Sequence, residues 1–495
     1  MLLTFVTLYL IASIGIGLWA ATRVHNTRDF VVAGRTLPLY VVTATVFATW
    51  FGSETVLGIS AKFIQDGLGG VVEDPFGSSM CLILVGLFFA ARLYRMDLLT
   101  IGDYYRVRYN QTVEVLTSLA IIGSYLGWVS AQVVALGLVL NVLSEGAMSM
   151  QAGILLGAAI VLLYTFYGGM FSVAWTNFFQ MVIIIAGIIY ITWVIGEKAG
   201  GVGNVVSHAA QAGKFDFLPE PNLRDMLWFV GAWVTMMFGS IPQQDVFQRV
   251  TSARTEKIAV WGAVLGGSGY FLFAFLPIFL AYAAFLIDPA LVEEMIKKDP
   301  QHILPNLVIN HTPVFAQIMF FGALLAAIMS TAAGTLLAPS VTFTENILKH
   351  VLRKELSDFQ FLWTMRAVVA VFAVIVTLFA LNSESSIYEM VGSAYKVTLV
   401  TAFVPLLAGL YWSRATTQGA LLSIFAGLVT WLTMEAVNPE GLWPPQLLGL
   451  LLGAAGMVAG SLAPQVVGRT LPVAAVHGHH AAAQTHHVSD RPHHH

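Results

Sequence analysis

Ala327, Ser330 and Thr331 are spaced i, i+3 and i+4 inside a long apolar run, so on a helix one carbonyl and two hydroxyls share a face. Several neutral oxygens on one face are what a hard, weakly held cation needs. The plainer alternative is that both hydroxyls bond back to carbonyls of their own helix, as Ser and Thr often do in membranes. Four ionisable residues also stand inside apolar runs: Glu54, Asp245, Glu389 and Lys396. A charge at the centre of a membrane helix costs about 2.5 to 3.5 kcal/mol, so these side chains are expected to face the interior of a bundle. Glu54 and Asp245 could form an anionic wall for an ammonium group, hold a proton, or pair with Lys396. Gln132, Gln243 and Gln244 are neutral groups able to orient a polar solute or to bond one helix to another. Gln248 and Arg249 fall at the end of their apolar stretch, where gating or lipid anchoring is expected rather than solute contact.

The elements that must position these residues are membrane helices. Of 495 residues, 57% are hydrophobic and only 10% charged, against about 25% charged in soluble proteins. Apolar stretches of the length needed to cross a bilayer recur along the chain, near residues 2–22, 38–61, 75–94, 112–142, 149–167, 172–196, 226–248, 258–287, 313–346, 362–381, 386–412, 415–436 and 444–465. They predict an all-α membrane protein of about thirteen spans. The first stretch has no basic region ahead of it and is too long for a signal-peptide core, so it is expected to stay as a span.

Lys and Arg set the orientation because they are retained on the cytoplasmic side. One set of loops holds Arg23, Arg28 and Arg35; Arg92, Arg95, Arg106 and Arg108; Arg249, Arg254 and Lys257; and Lys349, Arg353, Lys354 and Arg366. The other holds only Lys62, Lys198, Lys214, Arg224, Lys297 and Lys298. The asymmetry predicts the N-terminus outside and the C-terminus in the cytoplasm of a multi-pass inner (cell) membrane protein. The His-rich stretch from His477 onward, within a tail over 471–495, reads as a disordered cytoplasmic end.

Two spans are irregular. The second reads TATVFATWFGSETVLGIS, with Gly52 beside Ser53 and Glu54 at mid-depth; the seventh reads MMFGSIPQQDVFQRV, with Gly239, Ser240 and Pro242 at a similar depth. Both are expected to be broken helices. Spans two to six (about 38–196) and seven to eleven (about 226–412) would then be two five-helix repeats of opposite topology, within a single transporter domain over 1–470. Paired breaks in matching places point to a binding site at the bilayer midplane. Independent Gly and Pro kinks are the alternative.

With these breaks in view, the chain resembles the sodium/solute symporter family, a LeuT-type inverted-repeat fold, from about residue 30 to 460. YTFYGGMFSVAWTNFFQMVIIIAG is similar to that family's Gly-Gly turn and the helix after it, and FFGALLAAIMSTAAGTLLAPSVTFTENI to its sodium-site helix. ATWFGSETVLG, LILVGLFFA and IPQQDVFQRV look most like the high-affinity choline transporter branch. The resemblance implies that the carbonyls of Ala48 and Phe51 join Ala327, Ser330 and Thr331 around one Na+. It implies that Trp50 and Trp128 belong to an aromatic cage, whose faces attract alkylated ammonium groups. Gln243 stands where that branch carries a third tryptophan, and Ser78 near where it carries a tyrosine, so the cage is incomplete for choline. Asn177 replaces the aspartate of members with a second sodium site, which implies a single coupling ion.

The expected function is sodium-coupled import of a small organic solute by alternating access, with a cationic or zwitterionic amine or amino acid favoured. The expected solute contacts are Trp50, Glu54, Ser78, Trp128, Gln132, Gln243 and Asp245. A transceptor of the same fold and a proton-coupled transporter are the alternatives. An enzyme is not expected, because no nucleophile and base motif, phosphate loop or zinc spacing stands out. Nor does a basic stripe suggest nucleic acid. The bilayer and the solute are the only partners expected.

Overall fold

The computed structural model describes residues 1–383 and 387–467; the His-rich tail lies outside the described residues, as does the side chain of Glu389. Every named element within the described residues is helical. Polar caps open several spans: Asn110, Ser149, Asn222, Thr255, Ser357 and Thr416 each accept a hydrogen bond from the backbone amide three residues on. The ninth span, Val314–Phe343, carries no charged residue and only small hydroxyl side chains and Gln317 among apolar ones. It is accordingly the central helix, with almost every residue from Phe320 to Thr342 buried.

Nine described helices are long and apolar enough to cross a membrane, or ten if the bent pair Ala394–Thr401 and Phe403–Tyr411 is one span. The thirteen stretches of the sequence differ from this count for identifiable reasons. Span two is divided into Leu39–Ala48 and, after a break, Glu54–Gly58 and Ile59–Asp66. Span seven is divided into Leu223–Gly239 and Gln244–Thr251. None of these pieces is long enough alone. Spans five and six are joined in one 49-residue element, Met150–Lys198. Straight, it would be about 74 Å long, more than twice the hydrocarbon core. Gly169, at φ 49° and ψ −132°, interrupts it. The chain folds back there: a Cβ on Gly17 of span one would meet Tyr164 at 2.6 Å, while the Gly17 carbonyl accepts from Ser172 Oγ at 2.5 Å. Only glycine fits the bend, since a Cβ at 169 would lie 2.4 Å from the Phe30 carbonyl.

The two broken spans run in opposite directions. Leu37, just before span two, pairs with Ala253, just after span seven, through Leu37 N to Ser252 O at 3.1 Å and Arg254 N to Leu37 O at 2.9 Å. At the other end, Leu68 N donates to Lys214 O at 2.8 Å and Gly69 N to Asp216 O at 3.2 Å, joining the end of span two to the segment ahead of span seven. Both ends are therefore pinned, which holds the two breaks at the same level against the central helix.

Candidate functional site

Between Ala48 and Ser53 the helical ladder of span two is interrupted, and the local bonds are short-range: Gly52 N donates to Trp50 O at 2.8 Å and Thr55 Oγ1 to the same carbonyl at 2.7 Å. Unwound backbone at this depth must find partners in the protein. Thr331 Oγ1 donates to the Ala48 carbonyl at 3.2 Å, so the ninth span meets the break directly. A Cβ on Gly52 would lie 2.6 Å from Thr331 Oγ1. The peptide that joins Phe51 to Gly52 therefore runs past the same hydroxyl. Ser330 Oγ donates to Ala327 O at 2.8 Å. Here the back-bonding alternative holds in part: the serine proton stays within its own helix, and its oxygen lone pairs remain available. The structure thus brings one hydroxyl of span nine, that of Thr331, to one carbonyl of span two, that of Ala48, while Ser330 and Ala327 bond each other within span nine. Among the described residues, no group of three or more His, Cys, Asp or Glu side chains forms a metal cluster.

Glu54 opens the second half of span two and is buried. Its Oε2 accepts from Gln132 Nε2 at 2.6 Å, and Gln132 Oε1 accepts from Ser53 N at 3.0 Å, so one amide ties the acid to the break. Glu54 Oε1 makes no hydrogen bond of ordinary geometry, although the Trp128 indole N–H and the Glu54 backbone amide both act on the carboxylate. Trp50 and Trp128 are both 0% exposed, with ring centroids 6.3 Å apart and planes inclined by 46°. Tyr395 of span eleven completes a trio, 6.3 Å from Trp50 and 5.3 Å from Trp128. At these separations the three rings pack tilted or edge-on against one another and form a closed aromatic cluster beside the break. Tyr125 stacks on the far side of Trp128 at 5.7 Å and fixes that ring.

The other candidates occupy distinct places. Gln243, after the break of span seven, bonds Ser124 and Thr398 at 3.2 Å each, crossing to spans four and eleven. Gln244 accepts from Ile101 N at 2.7 Å at the bundle end. Asp245 is bound by Tyr125 OH and lies 3.7 Å from Arg249, one turn later. Ser78 donates to Asp74 Oδ1 at 2.6 Å. Asp74 also accepts from Tyr270 OH, and Tyr270 OH lies 3.0 Å from Thr55 Oγ1, so Ser78 reaches the break only through this relay.

Two expectations are corrected. Lys396 pairs with Glu435 at 3.9 Å, both about one-third exposed, and makes no ion pair with Glu54 or Asp245. Its long side chain carries the ammonium toward the rim, whereas the two acids point into the core. Gln248 and Arg249 are not lipid anchors, being 2% and 1% exposed. The Gln248 amide donates to Val31 O at 2.6 Å, and Arg249 is balanced by Asp245 inside the bundle.

Asp74, Tyr125, Tyr270 and Tyr395 were missed in the sequence. A single tyrosine in an apolar span carries no spacing signal. Asp74, followed by Pro75, reads as the start of a span rather than its interior. Next to it, Glu73 lines an open cleft of about 740 Å3 with Lys62, Asp66, Asp225 and Trp228, at the end of the bundle where span two finishes.

The Sodium:solute symporter family profile matches residues 30–427. The high affinity choline transporter 1 of Homo sapiens is 28% identical over 454 residues, covering 86% of this chain and 75% of that protein. The sodium/proline symporter of Escherichia coli (strain K12) is 26% identical over 512 residues, covering 99% and 98%. Among solved structures, the substrate-bound outward-open state of a Na+-coupled sialic acid symporter superimposes with a TM-score of 0.81 at 20% identity, covering 95% of this chain and 99% of the other.

Proposed function

The chain belongs to the Sodium:solute symporter family, whose matched members are transporters and not enzymes, and from that premise we propose that it imports a small cationic or zwitterionic amine, amino acids included, with one sodium ion. The observation that carries this is the contact of Thr331 Oγ1 with the Ala48 carbonyl, because it joins the hydroxyl face of span nine to the break of span two. The sodium ion, as cargo, is held there by the carbonyls of Ala48, Phe51 and Ala327 and the hydroxyls of Ser330 and Thr331. Asn177 supports a single ion: its amide donates to Thr45 Oγ1 at 2.9 Å and brings no charge.

The solute's ammonium group sits against Trp50, Trp128 and Tyr395 and bonds Oε1 of Glu54. Gln132 holds that carboxylate in place, while Gln243, Ser78 and Asp245 support the pocket from neighbouring spans. Choline and proline, named for two of the relatives, both carry an alkylated ammonium. Coupling follows from the shared break: sodium fixes Ala48 to span nine, and the same stretch presents Trp50 and Glu54 to the solute.

The repeats run over about 38–196 and 226–412. The N-terminus faces outside and the C-terminus the cytoplasm, which places the Leu37–Ala253 pairing at the inner surface and the cleft beside Glu73 at the outer. Thermal-shift screening of the purified protein against amines, amino acids, sugars and carboxylates, with and without sodium, tests the assignment. Stabilisation by an ammonium-bearing solute only when sodium is present is the expected result; stabilisation by a sugar or carboxylate alone would contradict it.

A further inference from the structure

Arg249 carries a buried charge for which solute and ion coupling, as described, have no use. Its guanidinium pairs with Asp245 at 3.7 Å, donates through Nε to Thr45 Oγ1 at 3.2 Å and through Nη1 to the Asp245 carbonyl at 3.4 Å, and leaves Nη2 without a partner. Gly334 makes the room for it, since a Cβ there would lie 2.1 Å from Nη2. Both neighbours stand one turn from the proposed sodium ligands. Thr45 precedes Ala48 by three residues, and Gly334 follows Thr331 by three, a rise of about 4.5 Å along each helix. A permanently charged, planar group therefore bridges spans two and nine directly beneath the oxygen cluster, on the side where Leu37 meets Ala253.

The way it is held matters. Arg108 is about as deeply buried, at 2% exposed, but is fastened to the Gly409 and Ala415 carbonyls at 3.0 and 2.9 Å. Arg249 has no hydrogen bond shorter than 3.2 Å, and its partners are Thr45 on span two and Asp245 on its own span seven.

We infer that Arg249 is a tethered cation that closes the sodium site on its cytoplasmic side: the guanidinium plugs the gap between spans two and nine, and its charge sets how weakly sodium is held. This rests on the sodium site proposed above. Two positive charges one helical turn apart repel in a medium of low dielectric, and Asp245, 3.7 Å from the guanidinium and not closely paired with it, offsets only part of that repulsion. Sodium leaves inward when the arginine withdraws.

The test uses full-length protein, with sodium titrations read by thermal shift and sodium flux read in proteoliposomes without solute. Arg249→Gln, which removes the charge, is expected to lower the half-saturating sodium concentration by about threefold or more and to open a sodium leak. Arg249→Lys, which keeps the charge but is a poorer plug, is expected to stay near the wild-type half-saturation and to leak. Folded Arg249→Gln with wild-type half-saturation, or Arg249→Lys without leak, overturns the inference. Wild type and Thr331→Ala are titrated in parallel. If wild type does not respond to sodium, or Thr331→Ala responds identically, the sodium site itself fails and the inference falls with it; if both behave as expected and only the arginine variants do not, Arg249 alone has been misassigned.

Discussion

Removing the Thr331 hydroxyl is the perturbation with the most direct consequence. Its oxygen sits 3.2 Å from the Ala48 carbonyl and against the Gly52 backbone, so Thr331→Ala deletes one proposed ligand and the side-chain bond that joins span nine to Ala48. A hydrogen-bond partner of a charged group is worth about 1.5 to 3 kcal/mol, which converts to a rise of roughly 10- to 150-fold in half-saturating sodium. For a site half-filled near ~1 mM, sodium at ~100 mM stabilises the protein by about 2.7 kcal/mol; a 30-fold weaker site yields about 0.9. Thermal unfolding across a sodium series, with potassium holding ionic strength constant, reads the difference without needing the solute. Thr331→Ser keeps the oxygen and should remain near wild type. Folded Thr331→Ala with an unchanged sodium midpoint would refute the ligand assignment.

Other perturbations separate the roles of the remaining groups. Glu54→Gln is expected to weaken solute binding by about 1 to 3 kcal/mol while the sodium midpoint holds, and Lys396→Met, which breaks a part-exposed pair with Glu435 and removes a charge that acts on Glu73, to leave both intact; competition binding checks them. Tyr395→Ala should raise the half-saturating solute concentration by about tenfold or more, whereas Tyr395→Phe, which keeps the ring face, should stay within about threefold in uptake assays. Gly52→Ala places a Cβ 2.6 Å from Thr331 Oγ1 and 2.9 Å from Gln132 Oε1, and should abolish both sodium and solute shifts; Gly123→Ala, with nothing within 4 Å, should be silent in the same melts.

Both breaks were legible because Gly, Ser and Pro at mid-depth leave backbone that the membrane cannot satisfy. The hydroxyl face was legible because i, i+3, i+4 spacing fixes which oxygens share a side. Tyr395 was not, since which face of span eleven turns inward depends on packing against Trp50 and Trp128. Of the two roles expected of Arg249, gating and lipid anchoring, the second came from a local rule that sends arginine at a span's end toward the lipid headgroups, and its burial excludes that one. The i, i+4 spacing to Asp245 was the available signal, but the space that admits the guanidinium is made by Gly334, 85 positions away in sequence. The span count differed for a related reason: the fold at Gly169 is tight enough that its two spans form one continuous element.

The coupling claim meets its most direct test in proteoliposomes, with solute accumulation measured under an inward sodium gradient and under an equal potassium gradient at the same membrane potential. One inward sodium at about 100 mV supplies roughly 2.3 kcal/mol, and a tenfold gradient about 1.4 more. Accumulation of a neutral zwitterion should therefore approach several hundred-fold with sodium and not exceed equilibration with potassium. Equal accumulation in the two gradients would contradict the sodium site at the break of span two.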